Sequence, residues 1–515
     1  MKQMMKWSFV ILALVVMAVP AGAAEKNMVY SSPYNITTLD PSVSYSTELQ
    51  YMANMYETLI RVNPPGSKEL FSYVLATGYT ASADGLEYTF NLRKGVKFHD
   101  GTPFTAKAVK FSIERTRKMG KGAAFIWGDL KEIQIIDDYT VKMILKAPAP
   151  LPAIAASAYA SYIMSPAVGD KGQEWFDAGN DAGSGPYTLK NYKSGESWIL
   201  AKFDDYWGGW SGRHVENILV KYTKEGLVQL KMLQSNEAML AGRLPIDSYD
   251  KVRKAKNTKV VEGPSYVNYM AFFNTTRPPL DQPKVRQALA HAIPYDDIIE
   301  IGFDGAATQA RGPVPRGQFG YSEKVMQYDH NLDKARSLLA QAGYPDGGFK
   351  LTLTYAAENV SEGRFAPLIQ SEFKKLGIDV EVKGIVWTSQ WAKAKGNPKD
   401  AQDIFLLMWW PTYSDPYETL FSLLHDEKGK PVWNLAYYAN PAYDKMIRQA
   451  YEITGSDPQK ALDLYIQAQN MVQKDAPVAW LVDVKAIWPM NSKLQGLVIN
   501  PAYPNVPFFY NMYLE

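Results

Sequence analysis

Between Phe349 and Val382 the apolar pattern changes period twice, and this restricts the fold more than any other feature of the chain. Phe349, Leu351, Leu353 and Tyr355 alternate with other residues, the period of a strand. Phe365, Leu368, Ile369, Phe373 and Leu376 follow at helical spacing and stop at Gly377. Ile378, Val380 and Val382 then alternate again. Strand, helix and strand in so short a span read as a βαβ unit with a right-handed crossover. Residues 404–408 run apolar without a break, as expected of a parallel strand covered on both faces. The spacing therefore predicts an α/β fold.

The rest of the chain is also mixed. Tyr88, Phe90 and Leu92 alternate as a half-buried strand, and Asp100-Gly101 marks a turn. Thr105 is a candidate N-cap for a helix over residues 106–115. Ile133 and Ile135, Asp137-Asp138, and Val141, Met143 and Leu145 read as a hairpin. Three prolines between residues 147 and 152 read as a loop. Further helices are expected after Asp281, Asn331, Asn440 and Asp457, three of them opened by a proline in the first turn. Gly183 and Gly185 mark a tight turn, or a backbone that approaches something closely.

At 515 residues the chain has room for three to four domain-sized units of about 100–200 residues. Its 46% hydrophobic and 21% charged residues suit a soluble globular protein. Cysteine is absent, which removes disulfides, thiolate metal sites, cysteine nucleophiles and lipid attachment through an N-terminal Cys. Lys+Arg is 55 and Asp+Glu 53, so no bulk charge favours nucleic acid. The 33 Tyr and 13 Trp suit contact with a ligand over a wide surface.

The start of the chain reads as an address. Lys2 and Lys6 precede an apolar run over residues 7–19, followed by Pro20, Ala21, Gly22, Ala23 and Ala24. This is the pattern of a cleaved secretory signal peptide over residues 1–24. The run is shorter than the roughly 20 residues that span a bilayer. The mature protein is expected free in a periplasm.

Ligands of open α/β sheets sit beyond the carboxyl ends of the strands. The apolar run at 404–408 leads into Trp409-Trp410-Pro411-Thr412-Tyr413-Ser414-Asp415-Pro416. The rings of Trp409, Trp410 and Tyr413 can wall a solute, and Thr412 and Asp415 can hydrogen-bond it. Strand alternation predicts one tryptophan in the core and the other at a cleft. Asp415 has a second reading as the first residue of an Asp-Pro turn. Arg364, expected in the first turn of the helix after Tyr355, is a candidate clamp for a ligand carboxylate. Trp387 is a further candidate wall residue.

No catalytic pattern stands out. There is no Walker A sequence, no HExxH and no G-x-S-x-G around Ser184, and the five His have no close metal spacing. His99-Asp100 reads as a turn rather than a dyad. No cofactor and no metal are expected. Carboxylate pairs are not readable without a structure, so a secreted hydrolase of peptides or glycans stands as a rival reading, as does a periplasmic interaction protein.

The stretch DGLEYTFNLRKGVKFHDG over residues 84–101 closely resembles the signature of family 5 extracellular solute-binding proteins, the peptide/nickel-type receptors of ABC importers. The likeness continues through Pro103-Phe104-Thr105-Ala106, Gly185-Pro186-Tyr187, Tyr206-Trp207, Val285-Arg286-Gln287-Ala288-Leu289 and Asp415-Pro416. It implies a two-lobe periplasmic-binding-protein fold (type II, cluster C-like) with an extra subdomain in lobe I. Lobe I would hold residues 25–265 and 485–515, and lobe II residues 266–484, with crossing strands near 266–273 and 477–484. The function implied is capture of a peptide or peptide-like solute by a monomer, with delivery to permease and ATPase subunits in the inner membrane. An oligosaccharide is the alternative solute. In peptide-binding members a carboxylate four residues before the loop proline takes the peptide's amino group. Here that position is Thr412. Arg364 falls near where dipeptide binders place a carboxylate-holding arginine.

Overall fold

The computed structural model describes residues 26–210, 212–426 and 433–515. The signal peptide expected over residues 1–24 lies outside them. Two large sheets organise the rest. The first has seven strands in the order Thr258–Gly263, Ala486–Asn491, Leu240–Ala241, Asn27–Ser32, Asn217–Tyr222, Ser197–Lys202 and Tyr187–Lys193. The second has six, in the order Ala307–Gln309, Val478–Val484, Asn268–Phe273, Ile404–Trp409, Lys350–Ala356 and Asp379–Ile385. The chain passes between them through residues 264–267 and through Lys485. These passages lie side by side: Ser265 Oγ donates to the Val484 carbonyl at 2.6 Å, and the Val484 N–H donates to Val267 O at 3.0 Å.

The βαβ unit forms where the periodicity places it. Lys350–Ala356 pairs in parallel with Asp379–Ile385, and the helix Val360–Lys374 connects them. Phe365, Ile369 and Phe373 of that helix are fully buried against Leu351 and Leu353. The apolar strand Ile404–Trp409 pairs in parallel with Lys350–Ala356 on one side. On its other side it is antiparallel to Asn268–Phe273, so the sheet is mixed, not wholly parallel. Its neighbour on that side is a buried strand entering from the first sheet's region, and it runs in the opposite sense.

A smaller four-stranded antiparallel sheet holds Ala76–Ala81, Glu87–Leu92, Thr140–Leu145 and Leu130–Asp137, covered by the helix Ala106–Met119. The signature stretch builds this unit and is structural. His99 is buried and bonds Asp181, not Asp100. Gly183 and Gly185 press on the end of the helix Leu49–Met55; a Cβ at Gly183 would overlap the Met55 carbonyl oxygen. Three expectations need correction. Thr105 occupies the N-cap position, but its side chain makes no capping hydrogen bond. The helix expected over 106–115 runs on to Met119 and stops at Gly120, whose φ of 59° is left-handed. The proline-rich segment 147–152 is a loop only at its start, because Pro152 sits in the first turn of the helix Leu151–Ala155.

Candidate functional site

All three mutually parallel strands end at one place. Ile404–Trp409 runs into Trp410 and Thr412, Lys350–Ala356 into Glu358 and Asn359, and Asp379–Ile385 into Trp387. These carboxyl ends line a cavity of about 430 Å³. Its opposite wall comes from the first sheet's side and consists of Tyr45, Ser46 and Arg243.

Four indoles dominate the lining: Trp387, Trp409, Trp410 and Trp433. Three of them are joined in a row through Trp391. Trp387 stacks on Trp391 at 5.6 Å, Trp391 meets Trp433 at 4.2 Å, and Trp433 meets Trp409 edge-on at 5.1 Å. The expected division of the tryptophan pair into core and cleft is incomplete. Trp409 is buried at 7% exposure and still reaches the cavity, while Trp410 is half-buried. The Trp410 Nε1–H donates to the Tyr159 hydroxyl at 3.2 Å, from the other side of the cavity.

Thr412 sits between the two sides. Its hydroxyl hydrogen-bonds the Tyr45 hydroxyl at 2.9 Å and Glu418 Oε1 at 3.0 Å, and its carbonyl accepts from Ser157 at 2.7 Å. Burial pushes the Glu418 carboxyl up to about 7 against the pull of Thr412.

Tyr413, Asp415 and Arg364 stand outside this lining. Tyr413 is turned inward and buried. Asp415 caps the helix Pro416–Leu424, accepting from Tyr417 N–H at 2.9 Å and from the Tyr465 hydroxyl at 3.2 Å. The helix-opening reading of Asp-Pro therefore describes where the side chain goes. Arg364 lies one turn into its helix, which starts at Val360. Its guanidinium reaches Asp247 at 3.2 Å, a contact between the two sides of the molecule.

Glu362 and Arg243 line the cavity without having been singled out by sequence. Glu362 is 1% exposed. The Asn359 side chain caps the Glu362 N–H at 3.2 Å, and Glu362 Oε2 accepts from Ala356 N–H at 3.1 Å. Burial raises its carboxyl to about 8. The field of the helix amino end acts the other way but is small beside burial of an unpaired charge. The pattern Asn-x-x-Glu at 359–362 reads locally as a capping box, which hides a cavity residue. Arg243 lies in an irregular loop, where no periodicity marks it.

Among the described residues no group of three or more His, Asp or Glu side chains is placed to hold a metal ion. No helix among them is long and apolar enough to cross a membrane.

Two sheets flanking an aromatic cavity define a two-lobe solute receptor, and comparison with known proteins identifies the family. A model described as "Bacterial extracellular solute-binding proteins, family 5 Middle" matches residues 71–431. The chain belongs to this family; it is a solute-binding protein and not an enzyme. It is 31% identical over 98% of both chains to the probable D,D-dipeptide-binding periplasmic protein DdpA of Escherichia coli. It is 30% identical over 95% of both chains to the glutathione-binding protein GsiB of Salmonella choleraesuis. The periplasmic binding protein DppA of Helicobacter pylori, solved with the peptide STSA, superposes with a TM-score of 0.79 at 28% identity, covering 95% of this chain and 98% of that one.

Proposed function

We propose that this chain is the periplasmic receptor of an ABC importer for a peptide or peptide-like small solute. It is exported by a signal peptide over residues 1–24, acts as a monomer and presents its closed form to permease and ATPase subunits. Lobe I comprises residues 25–265 and 485–515, lobe II residues 266–484. The observation that carries the reading is the cavity itself. It lies at the carboxyl ends of three parallel strands of one sheet and faces loop side chains beside the other sheet, so a bound solute touches both lobes and favours their closure. Its volume lies within the range that buries a small organic ligand. Relatives with nearly full-length coverage are named for a dipeptide and for glutathione, which supports the peptide class.

Trp387, Trp409, Trp410 and Thr412 are the solute contacts in this reading. Arg364 serves closure through Asp247, and Tyr413 and Asp415 brace the loop. The indole wall also favours a second reading, an oligosaccharide stacked on the rings. Native mass spectrometry of protein purified from its host, followed by calorimetric titration with peptide and oligosaccharide panels, decides between them. A co-purifying peptide that rebinds supports the first reading. A glycan with no peptide binding overturns it.

A further inference from the structure

Where Thr412 stands, a neutral hydroxyl is already engaged by Tyr45 and Glu418, so that position offers a solute no anionic partner. The cavity nevertheless contains charge-bearing groups with unmet needs. Glu362 is buried on the lobe II wall with one oxygen bonded to the Ala356 N–H, and no cation among the described residues contacts it. Glu358, the other cavity carboxylate, is exposed and accepts from the Trp387 N–H with both oxygens, at 3.3 and 3.1 Å. Across the cavity the exposed guanidinium of Arg243 makes no ion pair with the described residues. From the second sheet Tyr269 faces Glu362, and its own hydroxyl is held protonated by burial first and then by Glu362. Arg364, two positions along the same helix, is turned to Asp247.

We propose that Glu362 and Arg243 set the solute's polarity, Glu362 receiving an ammonium group and Arg243 a carboxylate of one zwitterionic ligand. This rests on the peptide reading above and assigns its two ends. An ionised carboxylate without a cation is costly in such a place, so Glu362 is protonated while the cavity is empty. When the ammonium enters, the Glu362 O–H bond breaks, its proton leaves to the buffer and the carboxylate keeps the electron pair. No other bond changes. Each binding event near neutral pH then releases close to one proton, since burial has raised the empty-site carboxyl to about 8.

The test is calorimetry on the full mature protein with hydrophobic dipeptides, each free, N-acetylated and C-amidated, in two buffers of different ionisation enthalpy at pH 7. The expected result is that N-acetylation weakens binding at least about tenfold, and that free peptides release close to one proton. In Glu362→Gln the free peptides bind at least about tenfold more weakly, and proton release disappears. In Arg243→Ala the free and C-amidated forms bind alike. N-acetylated peptides binding wild type as tightly as free ones, or release of no proton, overturns the assignment while leaving the peptide reading standing. No binding by any peptide, free or blocked, overturns both. The comparison of free and blocked peptides uses wild-type protein, so it does not depend on either variant folding.

Discussion

Both lobes pair some buried acids and leave others without a cation, and the balance differs between them. In the first lobe Asp40 takes both guanidinium nitrogens of Arg115 at 2.7 Å, and Asp181 is paired with His99. Glu57 accepts from Ser184, Tyr206 and Trp207. In the second lobe Glu362, Asp415, Glu418 and Asp483 are buried with hydrogen bonds from backbone or neutral side chains and no contacting cation. Burial raises their carboxyls to about 8, 7, 7 and 7 respectively. In the first lobe Asp40 has Arg115 and Asp181 has His99, while Glu57 has neutral donors only and burial raises its carboxyl. The second lobe also pairs buried acids, Asp403 with Arg277 and Glu372 with Lys375, but its four raised carboxyls stand without such partners, and three of them cluster on the cavity and the loop beside it. The cavity walls are unequal too: the second lobe supplies the indoles together with Glu358, Asn359, Glu362 and Thr412, the first Tyr45, Ser46 and Arg243.

The largest effect expected from this contrast is on pH dependence. The four second-lobe acids hold protons in the folded chain that the unfolded chain gives up near pH 4. Stability contributed by these groups is therefore full below that pH and is lost as pH rises toward 7–8. Thermal melts of ligand-free protein should show a lower Tm at pH 8.5 than at pH 5, with a shallower slope in Glu418→Gln. A slope unchanged in that variant would break the contrast. Next, Trp409→Ala should destabilise by about 3–5 kcal/mol in a urea titration, because a buried ring packed on Trp433 is lost. Trp410→Ala should weaken solute capture by about 1–3 kcal/mol in calorimetry, the worth of one large apolar side chain. Its opposite number, Tyr45→Phe, removes only the hydroxyl contact with Thr412 and should cost about 0.5–1.5 kcal/mol of capture. Equal losses from the two would mean that both walls grip alike. The smallest effect belongs to Arg364→Ala. Its ion pair with Asp247 is largely solvent-exposed, so binding of neutral and acidic solutes should fall together by at most about 1 kcal/mol. Selective loss of acidic solutes would instead return Arg364 to the site.

What the sequence shows and what it hides follow from range. The βαβ unit and the caps at Asn331, Asn440 and Asp457 are local, and all three side chains accept from the N–H groups they are placed to serve. The tryptophan loop was legible because a continuous apolar strand points at it. The antiparallel partner of that strand, Asn268–Phe273, lies more than a hundred residues away, and nothing near residue 404 announces it. Arg364 finds Asp247 and Thr412 finds Tyr45 across gaps of 117 and 367 residues. Glu362 was hidden for another reason: its spacing from Asn359 satisfies a local rule so well that no further role is suggested.

The two short passages between the sheets, bonded to each other at Ser265, Val267 and Val484, leave the halves little freedom except to swing about one line. Translation and twist are both restrained by the double tether. A hinge at this double tether would make the opening angle the main coordinate of a response to solute. A pair of dyes placed far from the tether would read that angle as a single distance.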